Sequence, residues 1–147
     1  MSKAISQIVK YLFLFTVMGS IYVVIELVWR GYSHYSMFIL AGTCGIEIGL
    51  INEILKWCIP IWMQSLIGAA ISLVGEFIFG CIFNLWLGMG IWDYSDMPFN
   101  ILGQVCLPFA IAWVFLSCIA IVLDDYLRFW FFKEEKPHYC LWFHGCD

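Results

Sequence analysis

Four segments of this chain, residues 11–29, 37–55, 61–87 and 101–123, are almost wholly apolar. Each is near the ~20 residues that a helix needs to cross a hydrocarbon core of about 30 Å. A backbone in lipid must satisfy its hydrogen bonds internally, and no segment alternates polar and apolar residues as a barrel strand does. The predicted fold is therefore all-α: a polytopic membrane protein with four transmembrane helices in a compact bundle. The composition agrees, with 63% apolar and 12% charged residues, far from the balance of soluble domains. Residues 1–132 read as one transmembrane domain and 133–147 as a short cytoplasmic tail, with no linker, low-complexity tract or repeat between them. A chain of 147 residues spent on four spans has no room for a soluble catalytic domain or a nucleotide-binding cassette, and no Gly-rich phosphate loop is present. No nucleophile–base pair or metal motif falls at one depth. An enzyme, a bound cofactor and a nucleic-acid partner are not expected, and any energy from ATP must come through another chain.

Orientation follows from the basic residues. Lys3 and Lys10 precede the first span, Lys56 lies between the second and third, and Arg128, Lys133 and Lys136 follow the fourth, whereas the other side holds only Arg30. Both termini are predicted to be cytoplasmic. The first span begins like a signal peptide but lacks a small-x-small cleavage site and runs into Glu26 and Arg30, so it reads as a retained helix.

Within the third span, Gln64, Gly68, Ser72, Glu76, Gly80 and Asn84 recur at every fourth position, a row along one helical face. In lipid, small residues let helices approach closely, while a carboxyl or carboxamide must find a protein partner or a wet cavity. Glu47 lies near the middle of the second span and Glu76 near the middle of the third. An ionised carboxylate there costs about 2.5–3.5 kcal/mol on insertion scales, so both are expected to be partnered, protonated or hydrated. Glu76, Glu47, Gln64, Ser72 and Asn84, with Gln104 of the fourth span, are candidates to line a substrate or ion pathway. The structural alternative stands beside this. At 100° per residue Glu47 points away from the Gly42, Gly45, Gly49 and Glu53 stripe of its own helix, so either acid can serve a neighbouring helix or a second subunit instead. The glycine stripe marks close packing, within the bundle or across a dimer interface, and Glu53 is placed to pair with Lys56.

The first span carries Gly19, Tyr22, Glu26 and Arg30 on one face, with Glu26 and Arg30 one turn apart. They form an intrahelical pair or a charged mouth. In the outer loop, Gly88 and Gly90 release the third helix, Trp92 and Tyr94 suit the membrane interface, and Asp93 and Ser95 offer turn or cap acceptors. Trp92, Asp93 and Tyr94 read as a lid or recognition site, or as an anchor and cap. Asn100, Gln104 and Pro108 repeat the four-residue spacing and predict a polar site beside a proline kink. At the cytoplasmic end, Arg128 is expected to pair with Asp124 while Asp125 faces solvent, a candidate surface for coupling to a partner. Of seven cysteines, Cys44, Cys58, Cys81, Cys106 and Cys118 fall in or beside spans, where a thiol acts as a small apolar group. His138, Cys140, His144 and Cys146 carry zinc-ligand chemistry at an atypical spacing, against a tail held at the membrane by Trp142 and Phe143.

The segments Trp29-Arg-Gly-Tyr-Ser-His34, Ser36-Met-Phe38, Gly49-Leu-Ile-Asn-Glu53, Trp92-Asp-Tyr-Ser95, Pro98-Phe-Asn100, Gly103-Gln104, Leu107-Pro-Phe109 and Leu123-Asp-Asp-Tyr-Leu-Arg128 resemble the bacterial ABC-transporter type IV family, small membrane proteins also described as CmpB-like permeases. The resemblance spans roughly residues 10–139 and stops at the Cys- and Trp-bearing end. It implies a permease subunit of the bacterial cytoplasmic membrane that moves a solute with a separate ATPase, with Asp124, Asp125 and Arg128 as a coupling surface. Four helices are few for a permease, so a homo-oligomer is expected. Two alternatives remain open: an ion- or proton-coupled homo-oligomeric carrier or channel built around Glu76, and a non-transporting scaffold or regulator.

Overall fold

A computed structural model describes residues 3–55 and 59–142, with side chains from Ile5 onward. Five α-helices follow one another: α1 (Lys3–Arg30), α2 (Tyr35–Gly49), the short α3 (Ile51–Ile54), α4 (Ile61–Gly80) and α5 (Leu107–Phe132). After a break of one residue α3 prolongs α2, and α4 runs on into a π-helical segment, Cys81–Trp86. The four resulting rods, Ile5–Arg30, Tyr35–Ile54, Ile61–Trp86 and Leu107–Phe132, are all long and apolar enough to cross a membrane. The fold is an all-helical four-span bundle. Leu12, Val24, Val74, Phe115 and Ile119 project outward, as expected where the surrounding solvent is lipid.

Two boundaries differ from the sequence reading. The first helix starts well before residue 11 and carries Lys10 inside it, because that lysine has a partner within the bundle. The fourth does not begin at residue 101. Phe99, Leu102 and Gly103 take left-handed backbone (φ 53°, 52° and 68°), which a helix cannot absorb, and Asn100 ties this turn with its side chain. Helix α5 starts only at Leu107, with Pro108 in its first turn, where a missing N–H costs nothing. Pro108 therefore makes no kink, and Asn100, Gln104 and Pro108 are not a helical row.

Helix α2 packs on α1, α4 and α5, while α1 and α5 barely meet. Close approach depends on glycine. A Cβ at Gly42 or Gly45 would fall on Phe15 or Met18 of α1, and one at Gly49 on the Asp124 carboxyl of α5. The stripe thus serves packing within the chain. Gln64, Gly68, Ser72, Glu76 and Gly80 of α4 are all buried, so that row also faces inward.

The end of the bundle at which α1 begins and α5 finishes is cross-linked by charge. Arg128, only 2% exposed, donates from Nε to Asp124, and Glu53 and Glu134 approach its Nη1 at 3.7 Å. Its guanidinium also lies over the ring of Tyr11, 5.6 Å from the centroid. Lys10 of α1 bonds Glu134 at 2.6 Å. Asp125, expected in solvent, is instead 5% exposed and accepts from Asn52 (2.6 Å) and Tyr139 (2.9 Å). Burial, with the Asp125 carboxyl beside it, raises the Tyr139 phenol above its ordinary value and keeps it a donor. The tail folds back to do this, and the carbonyl oxygens of Cys140 and Leu141 accept from Ile61 N and Trp62 Nε1 at the start of α4. The expected Glu53–Lys56 pair involves a residue outside those described; Glu53 turns to Arg128. Arg128→Ala leaves Asp124 buried without its cation and is expected to cost about 3–5 kcal/mol, read from unfolding in lipid micelles. The double variant Asp124→Ala/Arg128→Ala is expected to cost less than the two single losses added; simple additivity would show that the pair is not coupled.

Candidate functional site

Because α1 and α5 stand apart, a groove of about 540 Å³ opens between them toward the lipid side. Its apolar walls include Val24, Ile25 and Val28 of α1 and Ala112 and Leu116 of α5, and its polar groups are Tyr22, Glu26, Arg30, Glu76, Tyr94 and Trp113. A smaller apolar cavity of about 80 Å³ continues along the same two helices past Met18, Ile21 and Leu123.

Glu76 lies at the floor, 1% exposed. Its Oε1 accepts from the Tyr94 hydroxyl (3.1 Å) and its Oε2 from Trp113 Nε1 (2.9 Å). Both donors are neutral, and no Lys or Arg stands within ion-pair distance of it among the described residues. Aromatic faces surround this carboxyl: Tyr22 stacks on Trp113 (centroids 5.7 Å apart, 5° between planes) and Tyr94 on Phe109 (4.7 Å, 21°). Burial first, then the Glu76 carboxyl, pushes the Tyr94 phenol above its ordinary value, so it stays protonated and donates. At the mouth the charge is already balanced. Glu26 accepts from Arg30 Nη2 (2.6 Å) and from the Ser33 hydroxyl, while Arg30 also reaches the Ile91 carbonyl and lies over Tyr32.

The loop between α4 and α5 aims Tyr94 at this floor. Asn84 donates to Gln104 Oε1 (2.8 Å) and accepts from Ile91 N (2.7 Å), and Trp92 Nε1 donates to the Gln104 carbonyl (3.0 Å). Asn100 holds the carbonyls of Ser95 and Met97 and receives Gly103 N, whose own carbonyl accepts Tyr94 N. Asp93 is exposed and accepts two hydrogen bonds from Ser95, from its hydroxyl and its backbone N–H, which hold the carboxyl below its ordinary value. It has no place in the groove.

The candidate residues thus separate. Glu76, Glu26, Arg30 and Tyr94 come together. Asn84, Gln104, Trp92 and Asn100 build the loop that positions Tyr94 and do not line the groove. Gln64 lies about 18 Å along α4 from Glu76 at 1.5 Å per residue and donates to the Ile59 carbonyl. Ser72 is fully buried one turn below Glu76 with the Cys44 thiol of α2 beside it, and the Ser117 hydroxyl on α5 has no hydrogen-bond partner among the described residues. Glu47 does not line the groove: it is exposed on the outer side of α2. Asp124, Asp125 and Arg128 are buried, and Asp125 and Arg128 line a polar cavity of about 210 Å³ together with Asn52, Glu53, Glu134 and Glu135. Among the described residues no three His, Cys, Asp or Glu side chains gather as metal ligands; of the four tail candidates, His144 and Cys146 lie outside the described residues. Trp113 and Phe109 were missed by the sequence reading. One signal was available, since an indole placed about 9 Å inside a span lies below the interfacial belt that Trp favours.

A family model described as "Putative ABC-transporter type IV" matches residues 6–140, nearly the whole described chain. No curated protein and no solved structure matches significantly. The matched region takes in all four spans, the groove and the loop that aims Tyr94 into it. The chain belongs to this ABC-transporter type IV family, as a small multi-pass, permease-type transport component of the bacterial cytoplasmic membrane and not an enzyme.

Proposed function

We propose that this protein is a permease subunit that takes a cationic amphiphile from the bilayer into the groove between α1 and α5, with Glu76 as the partner of the positive head group. The observation that carries this reading is a buried carboxyl held by two neutral donors, with no Lys or Arg within ion-pair distance among the described residues, at the floor of an apolar groove open to lipid. Aromatic faces around an anion suit an organic ammonium, which gains from ring quadrupoles once desolvated. The groove walls and the cavity beyond them accept an alkyl chain, and lateral entry spares the head group a passage through bare hydrocarbon. A proton at Glu76 is the second reading, favoured by the buried Ser117 hydroxyl, which has no hydrogen-bond partner among the described residues and is a place for bound water.

The energy source in this proposal is a separate ATPase, as the family type suggests, docked at the end where α1 begins and α5 finishes. The buried Asp124–Arg128 pair would then lie beneath the docking surface and stiffen it. This end is assigned to the cytoplasm. Lys10 and Arg128 are neutralised inside the bundle, but Lys3, Lys56, Lys133 and Lys136 remain on that side against Arg30 alone on the other.

Binding of radiolabelled dodecyltrimethylammonium to the purified protein tests the substrate class. Glu76→Gln is expected to weaken binding by about ten- to hundredfold, the size of a lost charge-assisted contact, and Trp113→Phe by less, whereas dodecyl sulfate should not compete. Unchanged affinity in Glu76→Gln would remove the cation reading. If proton uptake into liposomes is Glu76-dependent while the amphiphile does not bind, the second reading replaces it. Orientation is checked with a reporter fused after residue 147: a reporter active only in the cytoplasm is expected to work there, and activity of a periplasmic reporter would invert the assignment.

A further inference from the structure

Glu47 is a carboxyl that the bundle leaves unanswered. It is exposed on α2 and makes no hydrogen bond or ion pair among the described residues. At 1.5 Å per residue it lies about 18 Å from the Tyr35 end of its span and 10 Å from the Ile54 end, too deep for so short a side chain to reach either surface. A polar group at that depth, facing lipid, pulls helices together until it finds a partner. Ile39 and Thr43 precede it at four-residue spacing and are also exposed. The Thr43 hydroxyl spends its proton on the Ile39 carbonyl (2.8 Å), which leaves its oxygen as an acceptor on the same face. The glycines of α2 do not serve this face, since Gly42 and Gly45 are filled by α1 and Gly49 by Asp124.

We infer that two copies of this chain associate through the Ile39–Thr43–Glu47 face of α2, about a two-fold axis along the membrane normal, so that the two Glu47 carboxyls meet. Such an axis sets every residue at the depth of its own twin, which is the self-complementarity of a two-fold interface. Two carboxyls that share one proton supply both donor and acceptor, and each Thr43 oxygen offers a further acceptor. A different subunit would need a complementary polar group at this one depth. The second copy carries it by symmetry. The α2 residues that line the cavity beside the groove, Ala41, Cys44, Gly45 and Ile48, point the other way at 100° per residue, so the dimer leaves the groove open to lipid. This inference stands apart from the assignment of Glu76.

Energy transfer between donor- and acceptor-labelled full-length protein, diluted with lipid in liposomes, measures the association. The wild type is expected to dimerise, Glu47→Leu to lower the association constant about tenfold, and Glu47→Gln, which keeps a donor and an acceptor, to stay within about threefold. A photo-crosslinking residue at position 43 is expected to give dimers, and one at the exposed position 74 of α4 none. Thermal melts of Glu47→Leu should match the wild type, since the leucine faces lipid. A monomeric wild type, a Glu47→Leu protein that dimerises unchanged, or crosslinks from position 74 instead of 43 would overturn the inference. Capture at position 43 of a different polypeptide alone would assign the face to another subunit.

Discussion

Hydrocarbon offers no hydrogen bonds, and most of the polar groups carried into this bundle are answered by another part of the chain. The consequences reach from backbone to charge. Glycines on α2 bring α1 within contact distance, and Gly49 makes room for a carboxyl that binds a buried arginine. The irregular turn between the third and fourth spans is closed by Asn84, Asn100 and Gln104, whose carboxamides take up free peptide groups. Where the chain leaves helical geometry, a side chain with both donor and acceptor stands beside it.

Two acids in neighbouring spans show how differently this constraint is met. Glu76 is buried between two neutral donors, an arrangement that satisfies hydrogen bonding while leaving the charge unmatched. Arg128 and Asp124 instead match charge against charge, with Lys10 and Glu134 extending the set across three parts of the chain. A matched set is suited to holding helices in place. An unmatched carboxyl in an open groove is suited to receiving a positive group, and this contrast within one small bundle supports the proposal that the groove is a binding site.

Much of the architecture is legible in the apolar runs, because a span is defined by length and hydrophobicity alone. The inward face of α4 is legible too, since Gln64, Gly68, Ser72, Glu76 and Gly80 share a four-residue spacing. The same spacing misleads at Asn100, Gln104 and Pro108. Periodicity predicts a helix there, but left-handed backbone at Phe99 and Leu102 turns the segment into a loop, and no local pattern announces it. Asp125 was misplaced for a related reason: its partners Asn52 and Tyr139 come from α3 and from a tail that folds back.

The sequence by itself determined that this chain spans a membrane four times, which acids lie deep, and which family it belongs to, because hydrophobic length and motif identity are properties of the chain as written. Only the tertiary structure decided that Glu76 meets Tyr94 and Trp113, that Glu47 faces outward, and that a groove opens between α1 and α5. Those outcomes depend on how far apart two rods stand and on which way each is turned about its axis. Both are set by contacts between residues distant in sequence, above all by glycines whose value lies in what packs against them.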